Sequence, residues 1–161
     1  MNTLLETETN VEPRVKIIEK TIRYERLKRK WSVEKLADLS GLHPLTIQNI
    51  ESGKTYDPNL YTIYTIAKAF ETTVGWLSVG TTVQTIFTKT PYDYCILGHR
   101  IANLRHSLGL SQRQFGEKIG KSKTQVSNYE HGYTDLKYIT ALKMVEDTGY
   151  DIDILLNFLY C

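Results

Sequence analysis

Four histidines (His43, His99, His106, His131), two cysteines (Cys95, Cys161) and a cluster of bases (Lys20, Arg23, Arg26, Lys28, Arg29, Lys30) are the side chains of this chain best equipped to do chemistry. The histidines are scattered, and neither cysteine stands in a CxxC or other metal-ligand spacing. No HExxH, nucleophile elbow or phosphate loop occurs. Neither catalysis, nor a bound metal, nor a cofactor is expected. The bases are another matter. Crowded between residues 20 and 30, they form either a solvated helix face or a surface that meets phosphates.

The distribution of charge says more than its sum and leaves both possibilities open. The net charge is only +2. Residues 1–13 carry −3, residues 14–80 carry +4, residues 81–93 balance, and residues 94–161 carry +1. At 161 residues, 41% hydrophobic and 24% charged, the chain has an ordinary globular composition with room for two small domains. No apolar run approaches the roughly 20 residues of a membrane span. Residues 1–13 read as an acidic, disordered tail without the features of a signal peptide. Two cysteines make a poor disulfide framework, which points to a reducing, cytoplasmic setting.

An internal repeat organises the rest. Shifted by 79 positions, Ser32 meets Ser111, Leu36 meets Phe115, Gly41 meets Gly120 and Ile47 meets Val126; Asn49, Glu51 and Gly53 then meet Asn128, Glu130 and Gly132. Each copy parses into five helices. In the first, Pro13 opens a helix over Arg14–Arg29. Ser32 caps Val33–Ser40, with Leu36 and Leu39 turned inward, and Gly41 breaks it. Pro44–Glu51 follows, stopped by Gly53, then helices over about Asn59–Phe70 and Thr73–Val79. The second copy predicts Tyr94–Ser107, Gln112–Ile119, Lys123–Glu130, Asp135–Asp147 and Asp151–Leu159. Trp31, Phe70, Trp76, Phe115 and Tyr129 are the candidate core aromatics. Domain boundaries at 14–79 and 94–161 leave a linker over 80–93, whose Thr81–Thr88 run is β-branched and alternating. That run is either an extended connection or a strand that pairs with a partner chain. Extended, the linker reaches about 46 Å at ~3.3 Å per residue.

The stretch Leu110-Ser111-Gln112-Arg113-Gln114-Phe115-Gly116-Glu117-Lys118-Ile119-Gly120, followed by Ser122-Lys123-Thr124-Gln125-Val126-Ser127-Asn128-Tyr129-Glu130-His131-Gly132, closely resembles the Cro/cI-type (XRE-like) helix-turn-helix regulators. Trp31 to Ala37 and Thr46 to Lys54 resemble them too. The resemblance implies an all-α fold of two tandem five-helix, lambda-repressor-like domains that bind double-stranded DNA and regulate transcription, most simply as a repressor. Its second helix protrudes and fits a major groove about 12 Å wide.

By that resemblance, the base-reading positions of the second copy are Lys123, Thr124, Gln125 and Asn128, and those of the first are Leu45, Thr46, Gln48 and Asn49. Lysine suits guanine O6/N7 and asparagine suits adenine. Phosphate contacts fall to Gln112, Ser127 and Tyr133 in the second copy and to Arg29, Lys30 and Lys54 in the first. Arg26 with Glu51, and Arg105 with Glu130, resemble structural ion pairs. The first copy departs from the pattern, with Val33 at the phosphate-binding position and Pro44 and Leu45 leading the reading helix. An alternative class is a protein-interaction module of antitoxin or antirepressor type. The apolar tail Ile154–Tyr160 and the linker are candidate surfaces for a homodimer or higher oligomer. No small-molecule effector is implied.

Overall fold

A computed structural model describes residues 11–79 and 91–156; side chains are described from Ile17 to Ser78 and again from Pro91. Among the described residues there are ten α-helices and no strand. They run α1 (Val11–Lys28), α2 (Val33–Ser40), α3 (Pro44–Glu51), α4 (Leu60–Ala69), α5 (Val74–Val79), α6 (Tyr94–Ser107), α7 (Gln112–Ile119), α8 (Lys123–Glu130), α9 (Tyr138–Val145) and α10 (Asp153–Leu156). The Thr81–Thr88 run and the apolar tail beyond Leu156 lie outside the described residues, so the dimer surfaces expected of them do too.

Local chemistry sets the ends of the central helices. The Ser32 hydroxyl accepts the Lys35 N–H at 3.0 Å to start α2, and Gly41 ends it with φ 71°, a left-handed turn that costs glycine nothing. Ser111 and Ser122 open α7 and α8 with full capping boxes, their hydroxyls taking the Gln114 and Gln125 N–H groups while those glutamines reach back. His43 opens α3 less well, its Nδ1 accepting the Leu45 N–H at 3.2 Å.

Two boundaries and one burial differ most from expectation. α1 begins at Val11 rather than Arg14, because Pro13 falls in a first turn whose N–H groups have no partner anyway. α9 is shorter than Asp135–Asp147: Leu136 and Lys137 are drawn into extended pairing, and Asp147 is left-handed at φ 62°. Leu39 does not turn inward; it is 47% exposed, whereas Leu36 is fully buried.

Ile18, Ile22, Leu36, Ile47, Ile50, Phe70 and Leu77 fill the first copy; Ile101, Phe115, Ile119, Val126, Leu142 and Leu155 fill the second. Phe70, Phe115 and Tyr129 are buried as expected, while Trp31 and Trp76 are only partly so. The two sets form one connected cluster. The join is polar as well as apolar. Asn59 and Lys137 make an isolated antiparallel bridge; the Leu60 N–H donates to the Leu136 carbonyl at 2.7 Å, and the Tyr138 N–H to the Pro58 carbonyl at 2.9 Å. Tyr138, 0% exposed, shares a 2.6 Å hydrogen bond between its hydroxyl and that of Ser78. The Ile139 N–H donates to Asp57 at 2.9 Å.

At the far end of this seam the Gly75 N–H, in the first turn of α5, donates to the Asp153 carboxylate at 3.1 Å. A Cβ on Gly75 would stand 2.2 Å from an Asp151 carboxylate oxygen, so any other residue would have to push the aspartates aside. Burial pushes the Asp153 carboxyl up, partly offset by hydrogen bonds from Thr73, Gly75 and Val74. α1 and α4 both pack on α9 across the same seam.

Candidate nucleic-acid interface

In each copy an arginine of the long helix grips the glutamate that ends the protruding helix. Arg26 Nε and Nη2 meet the two Glu51 carboxylate oxygens at 2.7 and 2.8 Å, and Nη1 donates to the Trp31 carbonyl at 2.9 Å. Arg105 meets Glu130 at 2.5 and 3.2 Å and the Leu110 carbonyl at 2.9 Å. Both pairs are largely out of water, with side-chain exposures of 11% and 8%, and 10% and 6%. The fork-to-fork geometry fixes the angle at which α3 and α8 stand from the body. Hydrogen bonding to Glu51 raises the Arg26 pKa against the effect of burial. Burial alone would push the Glu130 carboxyl up, but hydrogen bonds from Arg105 and Gln112 and the arginine charge hold it below its ordinary value.

The protruding helices turn their apolar residues inward and leave a polar edge outside. In α8, Val126 and Tyr129 are buried, while Lys123, Thr124 and Gln125 are exposed and Ser127 and Asn128 half-exposed. The Gln125 carbonyl oxygen is held by the Ser122 N–H at 3.0 Å, which leaves its amide N–H groups for a ligand. In α3, Ile47 and Ile50 are buried, Leu45 is 54% exposed, Gln48 is exposed, and Thr46 and Asn49 are half-exposed. Both sets of expected base readers therefore stand together on one helix edge.

The expected phosphate contacts divide differently. Lys30 and Lys54 are exposed, and Tyr133 is 77% exposed with its ring stacked on His131 at 5.4 Å. The half-exposed Ser127 has its hydroxyl 3.4 Å from His131 Nδ1. Gln112 spends one amide N–H on Glu130 at 2.8 Å, and its remaining N–H is the one available to a phosphate. Arg29 is not free as expected. Its guanidinium is paired with the Glu25 carboxylate, donates to the Phe70 carbonyl at 3.1 Å and lies over the Phe70 ring at 4.9 Å. It ties the end of α1 to the end of α4, a contact between residues too distant in sequence for a charge cluster to reveal.

Aligning the copies through the 79-residue shift shows that, beside Lys123, three bases escape the motif. Arg113, Lys118, Lys121 and Lys123 of the second copy stand where the first has Glu34, Leu39, Leu42 and Pro44. Arg113, Lys118 and Lys123 are exposed and Lys121 half-exposed. Lys118 leans toward α9, donating to the Glu146 carbonyl at 3.1 Å, and Arg113 pairs with Glu117 at 3.3 Å on the surface. Lys121 and Lys123 flank the start of α8, where the helix dipole and its free N–H groups already favour an anion. The signal was present in the repeat alignment, at positions where the copies disagree.

Among the described residues no group of three or more His, Cys, Asp or Glu side chains could hold a metal ion, and no helix is long and apolar enough to cross a membrane. A helix-turn-helix family model matches the chain twice, over residues 22–77 and 101–155. No curated protein and no solved structure matches it.

Proposed function

The chain belongs to the helix-turn-helix family in both copies, and from that premise we propose that this DNA-binding regulator is a sequence-specific transcriptional repressor whose second copy is the main base reader. The observation that carries the reading is the composition of the two exposed helix edges. The α8 edge presents Lys123, Thr124, Gln125 and Asn128, all able to hydrogen-bond base edges, with Lys121 beside them for the backbone. The α3 edge leads with Pro44 and Leu45, which carry no side-chain hydrogen-bond code; Leu45 suits a thymine methyl group, and Thr46, Gln48 and Asn49 supply the polar contacts that remain.

In this reading Gln112, Ser127 and Tyr133 hold phosphates around α8, and Lys30 and Lys54 do so for the first copy. Arg29 belongs to the body of the fold. The first copy adds mainly affinity. Its exposed Leu27, Leu39 and Leu45 also favour a protein partner on that copy, a role compatible with DNA binding by the second. Selection from random duplexes by the full chain, at low and then raised salt, tests the proposal. We expect salt-sensitive binding with enrichment of one sequence, and the DNA flanking its own gene is the first natural site to footprint. Absence of duplex binding at low salt would remove the reading in favour of a pure interaction module.

A further inference from the structure

The seam between the copies joins equivalent atoms. Asn59 is the residue capping α4, and Lys137 is the residue capping α9, its counterpart in the repeat. They bridge each other in antiparallel register. The Leu60 N–H, first of α4, donates to the carbonyl of the residue before the α9 cap; the Tyr138 N–H, first of α9, donates to the carbonyl of the residue before the α4 cap. Two bonds that exchange the same donor and acceptor positions are the mark of a two-fold axis. Each cap is fixed to its own copy, and the copies share one helical plan, so the axis relates the copies as wholes. The buried Ser78–Tyr138 hydrogen bond and the Gly75–Asp153 contact hold the arrangement in place. A residue count explains why the repeat hides it. The second copy has one residue fewer between Gly132 and Lys137 than the first has between Gly53 and Asn59, so the 79-residue shift slips out of register just there.

We propose that one chain is a complete, two-fold DNA reader: it binds a single duplex site made of two unlike half-sites in inverted orientation at fixed spacing, without a second copy of itself. The proposal rests on the DNA-binding reading above. A two-fold protein imposes inverted half-sites, because the symmetry of the operator mirrors that of the reading helices. Two copies on a free tether would tolerate direct repeats and variable spacing instead. Residues 52–59 and 131–137 tie the ends of α3 and α8 to the axis. Each tie spans at most about 25 Å when extended. The helix ends therefore lie within about 50 Å of each other, a window that contains the roughly 34 Å between successive major-groove faces. The half-sites are unlike because α3 and α8 carry different edges.

The test uses the full chain and DNA variants only, so it does not depend on a mutant that folds. The duplex selected from random sequence is rebuilt with one half-site reversed, and separately with about 5 base pairs inserted between the half-sites, which turns one face half-way round the helix. Affinity is read by titration and stoichiometry by sedimentation. We expect one chain per duplex and at least a tenfold loss for each rearrangement. Selective binding that survives both rearrangements within about twofold, or that needs two chains per duplex, overturns the proposal while leaving the DNA-reading function standing. Failure to select any sequence overturns both.

Discussion

The α2–α3 pair and the α7–α8 pair share a backbone plan and differ in almost everything they show to solvent. Both start from a serine cap, turn at a left-handed glycine and end at a glutamate clamped by arginine. On that common frame one surface carries Arg113, Lys121 and Lys123 around a polar reading edge, and the other carries Glu34, Leu42 and Pro44 beside Leu45. The parts that agree are those whose geometry sets the fold. Buried positions exchange one apolar side chain for another, Leu36 for Phe115 and Ile47 for Val126, whereas exposed positions change charge and hydrogen-bonding character. Changes of charge kept to the exposed edge are what separate binding duties would leave behind.

The comparison can be broken hardest at the clamps. Glu130→Ala strands Arg105 and takes away the Gln112 partner as well, and should cost about 3–5 kcal/mol of unfolding free energy. Glu51→Ala strands Arg26 alone and should cost less. Denaturant titration measures both, and because the cores are connected each variant should still unfold in a single transition. A melting temperature unchanged in Glu130→Ala would mean the clamp is idle. The same pair sets an acid limit. The Glu130 carboxyl is held below its unfolded value of about 4.3, so its contribution is fully present above that pH and is lost as pH falls through the lower folded value. Glu130→Gln should flatten this stretch of the stability profile.

A smaller effect separates the reading edges. Asn128→Ala should relax preference at one base pair by about 1–3 kcal/mol, while Asn49→Ala should change affinity more than preference. Equal losses of preference in a selection experiment would argue that both copies read bases alike. Smaller again is the electrostatic difference. Each lost phosphate contact lowers the slope of log K against log salt by about 0.9. Lys121→Ala should lower it by about 1, and Lys54→Ala by about 1 at most. An unchanged slope in Lys121→Ala would place the phosphates elsewhere.

The slightest difference is conformational. Lys30 and Gly109 occupy the same left-handed position after the first helix of each copy, at φ 55° and 69°. Lys30→Gly should stabilise the chain by about 1 kcal/mol and Gly109→Ala should destabilise it by a similar amount, both read from thermal unfolding.

Much of the frame was legible in the sequence because it depends on short-range chemistry. Ser32, Gly41, Ser111, Gly120, Ser122 and Gly132 punctuate the helices through bonds to residues three or four away, and such signals survive in a single chain. The reading edges of α3 and α8 followed from the resemblance to helix-turn-helix regulators. What stayed hidden rests on long-range contact. Tyr138 looks like one more residue of a helix start, and only the seam with Pro58 and Ser78 makes it the largest fully buried side chain among the described residues. Arg29 looks like one more base in a cluster until Phe70 is folded beneath it. Leu39 sits at helical spacing for burial, yet that side of α2 meets no neighbour that would cover it.

The bridge between Asn59 and Lys137 also bears on how this molecule can change over generations. In a symmetric homodimer every substitution is made twice, so a new base preference in one half forces the same change in the other and demands two simultaneous changes in the operator. Here the two faces are encoded separately and held together covalently. On the one-chain reading proposed above, a codon altered in α8 leaves α3 as it was, and a single base-pair change in the target is enough to meet it. The seam residues, by contrast, answer to both copies at once, so drift should be slow at Leu60, Leu136 and Tyr138 and fast along the exposed edges they hold apart.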